Sequence, residues 1–170
     1  AISSEAGTMA MTAYKEAMNS GKLYKVMEFT ERDPHYREYL QQIEEYNRLG
    51  YSPEAETAKQ IILRSLFAEV GDGAYIQAPY HAMWGGHHVH LGRNVWIASN
   101  VTVLPGAHIG DNAIIGAGSI VTKDVPANVI AMGSPAKIVR EITPDDDVHY
   151  DHGRSIADNI VTLDQLQQWE

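Results

Sequence analysis

The sequence predicts a mainly β protein, a parallel β-helix of hexapeptide repeats with an N-terminal helical cap and a short C-terminal helical tail. Two observations carry that expectation. From Val89 to Asp124 aliphatic residues recur every six positions, at Leu91, Ile97, Val103, Ile109, Ile115 and Val121, and Gly92, Ala98, Gly110 and Gly116 follow four of them. A second series of small or branched residues runs two positions ahead, at Val89, Val95, Val101, Ala107, Ala113 and Ser119. Neither the 3.6-residue period of a helix nor strict alternation gives this beat. Short strands stacked around a narrow axial core do.

The cap is expected over residues 1–73, the β-helix over 74–140 and the tail over 141–170. From about Ser4 to Val70 the apolar positions follow a helical period. Thr30 or Asp33, with Pro34 just inside, can open a helix carrying Tyr36, Leu40, Ile43 and Tyr46, which Gly50 can close. Ser52 and Pro53 open the next, carrying Ala58, Ile61, Ile62 and Leu66 before Gly71. A first strand is expected near Ala74 to Gln77, followed by an irregular stretch from Pro79 to His88. The tail begins at the acidic run Asp145 to Asp147 and ends in a short helix. There Thr162 and Gln165 have capping-box spacing, and Leu163, Leu166 and Trp169 form one apolar stripe.

Composition narrows the function classes. The chain has 170 residues, of which 44% are hydrophobic and 21% charged, as in a soluble globular domain. It has no cysteine, which excludes disulfides, thiol nucleophiles and thiolate metal ligands and is compatible with a reducing cytoplasm, the location expected here. No apolar run approaches the length of a membrane span, and the N-terminus lacks the basic-then-apolar pattern of a secretion signal. A formal charge of −9 argues against broad nucleic-acid binding.

The repeat region also carries longer motifs. These are Gly92-Arg93-Asn94-Val95-Trp96-Ile97, Leu104-Pro105-Gly106-Ala107-His108-Ile109-Gly110-Asp111-Asn112, Ile115-Gly116-Ala117-Gly118-Ser119-Ile120-Val121-Thr122-Lys123-Asp124-Val125-Pro126, and Gly133-Ser134-Pro135-Ala136-Lys137-Ile138-Val139-Arg140. Together they resemble the C-terminal half of the galactoside and maltose O-acetyltransferases. Gly21-Lys22-Leu23-Tyr24, Tyr46-Asn47 and the helix through Leu66-Phe67 resemble that family's helical cap. The resemblance implies a left-handed β-helix, usually trimeric, that moves acetyl from acetyl-CoA to a sugar hydroxyl. It implies CoA contacts at Ser99, Ala117, Thr122, Lys123, Lys137 and Arg140, and places Trp96 near the active-site groove. It also implies a homotrimer with the CoA groove between neighbouring subunits.

The residues support part of this reading independently. Small residues at Ala98, Ser99, Gly116, Ala117 and Gly118 would let a pantetheine arm approach the backbone, and Lys123, Lys137 and Arg140 suit phosphate oxygens. The alternative is that the glycines only make coil corners and the cations are solvated. Trp96 suits either substrate contact or packing between subunits or coils.

Transfer to a hydroxyl needs a base, and histidine, with a reference pKa near 6.5, suits the task. The family's histidine stands in a Thr-His-Pro or Gly-His-Pro context, and neither occurs here. The chain passes from Pro79-Tyr80 to Gly92-Arg93-Asn94-Val95-Trp96 within a dozen residues, so the family's middle coils have no counterpart. Three readings stand: a shortened form that has lost ordinary catalysis, a chain lacking an internal segment, or an enzyme that recruits another histidine. For the last, His81, His87 and His88 are the candidate bases, in a segment where Gly85-Gly86 permits a sharp fold. In a strand His88 and His90 would share a face with His87 opposite, an arrangement also open to two metal ligands. No carboxylate is interleaved, so no metal is expected. His108 is expected at a repeat corner in a structural role. The competing function is a catalytically silent β-helical trimer that binds CoA or serves in assembly.

Overall fold

The computed structural model describes residues 35–82, 86–150 and 152–161. The expected helix-opening residues Thr30, Asp33 and Pro34 and the tail helix around Thr162 to Trp169 lie outside them. Helix α1, Tyr36–Arg48, buries Tyr39, Ile43 and Tyr46, a stripe at four- and three-residue spacing. Leu40, expected in that stripe, is 40% exposed because the buried face is centred one position earlier, on Tyr39. The helix ends at Leu49, whose extended backbone still lets its N–H reach the carbonyls of Glu45 and Tyr46, so the stop falls before Gly50.

Helix α2, Pro53–Leu66, starts where the sequence places it. Ser52 Oγ accepts the Ala55 N–H at 3.2 Å, and Pro53 occupies the first turn, where no N–H is needed. Its inner face is Lys59, Ile62, Leu63 and Leu66, while the expected Ile61 is 66% exposed. Lys59 is buried at 1% exposure because its Nζ finds the Glu56 carboxylate at 2.9 Å and lies 4.5 Å from the centre of the Tyr51 ring.

Helical structure stops at Leu66, and Glu69–Val70 is already strand β1, ahead of the expected first strand. It is followed by β2 (Tyr75–Ile76), β3 (His81–Ala82), β4 (His90–Leu91), β5 (Trp96–Ile97), β6 (Thr102–Val103), β7 (His108–Ile109), β8 (Ile114–Ile115), β9 (Ile120–Val121), β10 (Val129–Met132) and β11 (Lys137–Glu141). They build three parallel faces. The first is β1-β4-β7, the second β2-β5-β8-β10 with β11 added antiparallel, and the third β3-β6-β9. The stretch expected to be irregular therefore contains a rung, since His81 pairs with Thr102 and Ala82 with Val103. Among the described residues the tail adds a 3-10 turn at Pro144–Asp147, a hairpin of β12 (His149–Tyr150) with β13 (Arg154–Ser155), and the short helix α3, Ile156–Asn159.

The six-residue period translates directly into packing. In each strand from β4 to β9 the second residue points inward, and Leu91, Ile97, Val103, Ile109, Ile115 and Val121 are all at most 8% exposed. The second series fills the corners from inside and is at most 4% exposed. Ser119 is the one polar member, and its hydroxyl donates to Gly116 O and accepts the Gly133 N–H. Each buried aliphatic side chain stabilises the fold by about 1.5–3 kcal/mol relative to exposure.

Corner chemistry keeps the coils in register. Asn94, Asn112 and Asn128 adopt φ of 54°, 58° and 56°, the left-handed region that asparagine tolerates. Their amides form a ladder, Asn94 Nδ2 to Asn112 Oδ1 at 3.1 Å and Asn112 Nδ2 to Asn128 Oδ1 at 2.8 Å. Beside it Asp111 accepts the Arg93 backbone N–H at 2.9 Å and two guanidinium bonds at 3.0 and 2.7 Å. These bonds hold the Asp111 carboxyl below the usual carboxylate range.

The cap sits on the first coil through aromatic rings. Tyr80, 3% exposed, packs edge-on against Tyr46 with ring centres 4.8 Å apart, and Tyr46 donates its hydroxyl to Ile76 O. Among the described residues the buried Tyr80 hydroxyl meets no hydrogen-bond partner. An orphaned hydroxyl costs about 1–3 kcal/mol in desolvation. Tyr80→Phe is therefore expected to stabilise the protein by about 1 kcal/mol, read as a rise of about 2–4 °C in a thermal melt. No described helix is long and apolar enough to cross a membrane.

Candidate functional site

The third face supplies a column of outward residues, His81, Thr102 and Ile120, stacked in register. Neighbouring rungs lie roughly 4.8 Å apart, so His81 stands about 10 Å below Ile120. One side of the column is the corner holding Ser99 and, one coil above, Ala117, where the Gly118 N–H bonds to Ser99 O at 3.1 Å. Gly118, at φ 69°, has open space where a side chain would stand, whereas a Cβ on Gly116 would strike Met132 of the next coil. Gly116 is thus small for packing, whereas the Ala117-Gly118 edge is exposed to an approaching chain.

The other side is the corner Thr122 to Asp124. Successive rungs from the second coil to the third are eighteen residues apart, as His90 to His108, but Ile109 meets Val125 and Ile114 meets Ile130 at sixteen. The two missing residues fall between Val121 and Val125. Asp124 compensates with its side chain, accepting the His108 N–H at 2.9 Å, while Val125 N returns a bond to His108 O at 2.8 Å. Thr122 and Lys123 are exposed on this tightened corner.

Lys137 and Arg140 lie on β11. Ala136 N donates to Ile120 O at 2.8 Å, docking the start of that strand over the third face, so Lys137 emerges next to the top of the column. Arg140 is held by Asp146 through bonds of 2.9 and 2.6 Å. The guanidinium, together with the Thr143 backbone N–H at 2.8 Å, pulls the Asp146 carboxyl down to about 2. Arg140 is therefore oriented by a carboxylate while its side chain stays half exposed, a contact the spacing of the motif does not reveal.

The histidines separate. His81 is exposed at the foot of the column. His87 lies in a turn, against the cap, with its ring edge-on to Tyr39 at 4.1 Å between centres. His88 is in the same turn and gives its carbonyl to the Gly106 N–H at 3.0 Å. The expected strand alternation of His87, His88 and His90 does not occur, because the first coil is three residues longer than the second and the excess falls between Ala82 and His90. His90 lies on β4 and stacks on His108 of β7 at 4.1 Å and 10°, with Glu69 Oε2 3.3 Å from its Nδ1. His108 is thus on a strand rather than at the corner expected for it. Among the described residues no group of three or more His, Cys, Asp or Glu is arranged to hold a metal.

Trp96 points outward from the second face at 47% exposure, between Tyr75 below and Ile114 above. It is one face away from His81, around the Ser99 corner. Sequence reasoning missed this apolar column, although Tyr75, Trp96 and Ile114 precede inward residues at the repeat spacing.

Three short parallel faces, a six-residue period and a helical cap define a hexapeptide-repeat transferase. Residues 88–123 match the family model described as bacterial transferase hexapeptide (six repeats). A galactoside O-acetyltransferase of Lactococcus lactis is 29% identical over 176 residues, taking in 71% of this chain and 84% of that protein. One from Escherichia coli K12 is 31% identical over 153 residues, with 58% and 75% covered. A solved galactoside acetyltransferase in complex with coenzyme A is 25% identical, covers 83% of this chain and 96% of its own, and superposes with a TM-score of 0.49. The chain belongs to the galactoside O-acetyltransferase family. The 176 positions aligned with the Lactococcus protein take up 71% of 170 residues, about 121, so about 55 positions of that relative have no counterpart here.

Proposed function

We propose that this protein transfers acetyl from acetyl-CoA to a hydroxyl of a sugar-like acceptor, with His81 as the base. The observation that carries the reading is the third face, where His81 lies in register beneath Thr102 and Ile120 between the Ser99-Ala117 edge and the Lys123 corner. The open backbone at Gly118 suits a pantetheine arm, and Lys123, Lys137 and Arg140 suit the phosphates. In this reading the His81 imidazole takes the acceptor's hydroxyl proton as the oxygen attacks the thioester carbonyl. A C–O bond forms, and collapse of the tetrahedral intermediate breaks the C–S bond. The leaving thiolate recovers the proton from the imidazolium, giving ester and free CoA. His87 and His88 are the weaker candidates, since one faces the cap and both lie in the turn.

The test is an acetyl-CoA turnover assay with a panel of sugars that follows thiol release. Acceptor-dependent release above hydrolysis is expected. CoA binding without any such acceleration would favour the second reading, a silent CoA-binding β-helix, which the missing Thr-His-Pro or Gly-His-Pro motif favours. The phosphate assignment has its own check in titration calorimetry. Changing Lys123 and Arg140 together to Ala is expected to weaken CoA binding at least about 10-fold, since each charge-assisted bond contributes about 1.5–3 kcal/mol. Undiminished affinity would remove both residues from the site.

The same reading includes a homotrimer. Tyr75, Trp96, Ile114 and Ile130 form an apolar column on the second face, and Ile138 and Val139 on β11 are 55% and 57% exposed, surface that association would cover. Trp96 then either lines the acceptor site or packs against the neighbour. A monomer mass by light scattering would contradict the assembly. The cysteine-free chain fits the reducing cytoplasm that this reading assumes.

A further inference from the structure

We infer that Asn47, on the helical cap, is the positioning residue for His81. The inference rests on the reading of His81 as the base. Strand β3 is the edge of the third face, and no coil lies beneath it among the described residues. An edge strand bonded on one side only is prone to fraying, which a base required to meet a hydroxyl cannot tolerate. Asn47 supplies the missing side. Its Nδ2 donates to Tyr80 O at 3.0 Å, and its Oδ1 accepts the Tyr80 N–H at 2.9 Å. A single carboxamide thus fills both main-chain groups of the residue immediately before His81, acting as a one-residue substitute for a lower coil.

The surroundings make this clamp rigid. Asn47 lies in the last turn of α1, next to Tyr46, whose hydroxyl donates to Ile76 O and whose ring abuts the Tyr80 ring. From above, Asn100 N holds Pro79 O at 3.0 Å. The segment entering β3 is therefore gripped by the cap on one side and the second coil on the other, and His81 is the first residue beyond that grip. Misplacing a reacting group by about 1 Å can cost up to 10²-fold in rate. The clamp's role is to set the height and angle of the imidazole, with no contact to CoA.

The test compares Asn47→Ala and Asn47→Asp with the unchanged protein in acetyl-CoA turnover, alone and combined with His81→Asn. Asn47→Ala is expected to lower kcat about 10- to 100-fold with KM for acetyl-CoA and calorimetric CoA affinity unchanged. Asn47→Asp keeps the bond from Tyr80 N and loses the other, so an intermediate loss is expected, and it serves in place of the Ala variant should that fail to fold. In the His81→Asn background neither change should lower the residual rate further. Amide hydrogen exchange should speed at His81 and Ala82 but not at Thr102 and Val103. An equal loss in both backgrounds, a parallel fall in CoA affinity, or faster exchange with unchanged kcat would overturn the positioning role. His81→Asn turning over at the unchanged rate would instead overturn the base, an outcome visible without any Asn47 variant.

Discussion

Replacing His81 by Asn is expected to lower acceptor-dependent acetyl transfer by about 10²–10⁴-fold, the range that a positioned general base supplies. The substitution keeps a polar side chain of similar reach and removes the group that accepts the hydroxyl proton. Because His81 is exposed at the outward position of β3, its loss leaves the interior of the coil intact, and the thermal midpoint should not move. CoA affinity should also be retained, since Lys123 and Lys137 lie at the other end of the column and Arg140 lies opposite Ile130 on the second face. The pairing of lost turnover with kept binding is the informative result. If turnover survives in His81→Asn and disappears in His87→Asn or His88→Asn, the base lies in the turn instead.

The largest expected effect on stability comes from a single added methyl group. Gly92→Ala places a Cβ 2.5 Å from Asp111 Oδ1 and 2.6 Å from Asp111 N, so the backbone of the coil above must shift. Asp111 also bonds the Arg93 N–H and guanidinium, and the shift would disturb that whole corner. Overpacking of this kind costs about 1–3 kcal/mol and more when backbone is the obstacle, so about 3 kcal/mol is expected, a fall of roughly 6–12 °C in the thermal midpoint. Gly106→Ala is the control. Gly106 has φ 85° and open space around it, so that variant carries only the cost of a left-handed backbone, about 1 kcal/mol. A fall at Gly92 no larger than at Gly106 would show that the coils can separate to accommodate a methyl group.

The interior was legible because one physical constraint dominates it. Stacked two-residue strands admit a single inward side chain each, so Leu91 through Val121 had to be aliphatic at fixed spacing. The Ser52-Pro53 helix start was legible for a similar reason, since its capping chemistry is local. What a sequence pattern does not carry is the partner. Leu40 and Ile61 are as apolar as their buried neighbours, and only the placement of the first coil decides that Tyr39 and Leu63 face it instead. Lys59 is buried because Glu56, Tyr51 and Tyr46 surround it, and no hydropathy pattern assigns a lysine to the inside. For the site, the motif points to the corners that flank the third face, but the Asp146 carboxylate lies six residues beyond Arg140, outside the motif, and the Asn47 clamp on Tyr80 spans 33 residues. The rung at His81 was hidden by the three additional residues before His90, which break the six-residue beat just where the candidate base lies.

The register between the second and third coils has a consequence for length. His90, Trp96 and Thr102 meet His108, Ile114 and Ile120 at one constant separation, and each rung offers the coil above the same backbone edge that it takes from the coil below. Length in such a rod is a quantised variable. Inserting one eighteen-residue period would raise the rod by about 4.8 Å and turn no side chain to the wrong face. A change out of step has to be absorbed within one corner, as the three additional residues before His90 and the two missing before Val125 are, or every later residue would leave its face. Genes for this architecture can therefore gain or shed segments in fixed quanta while leaving the flanking surfaces as they were.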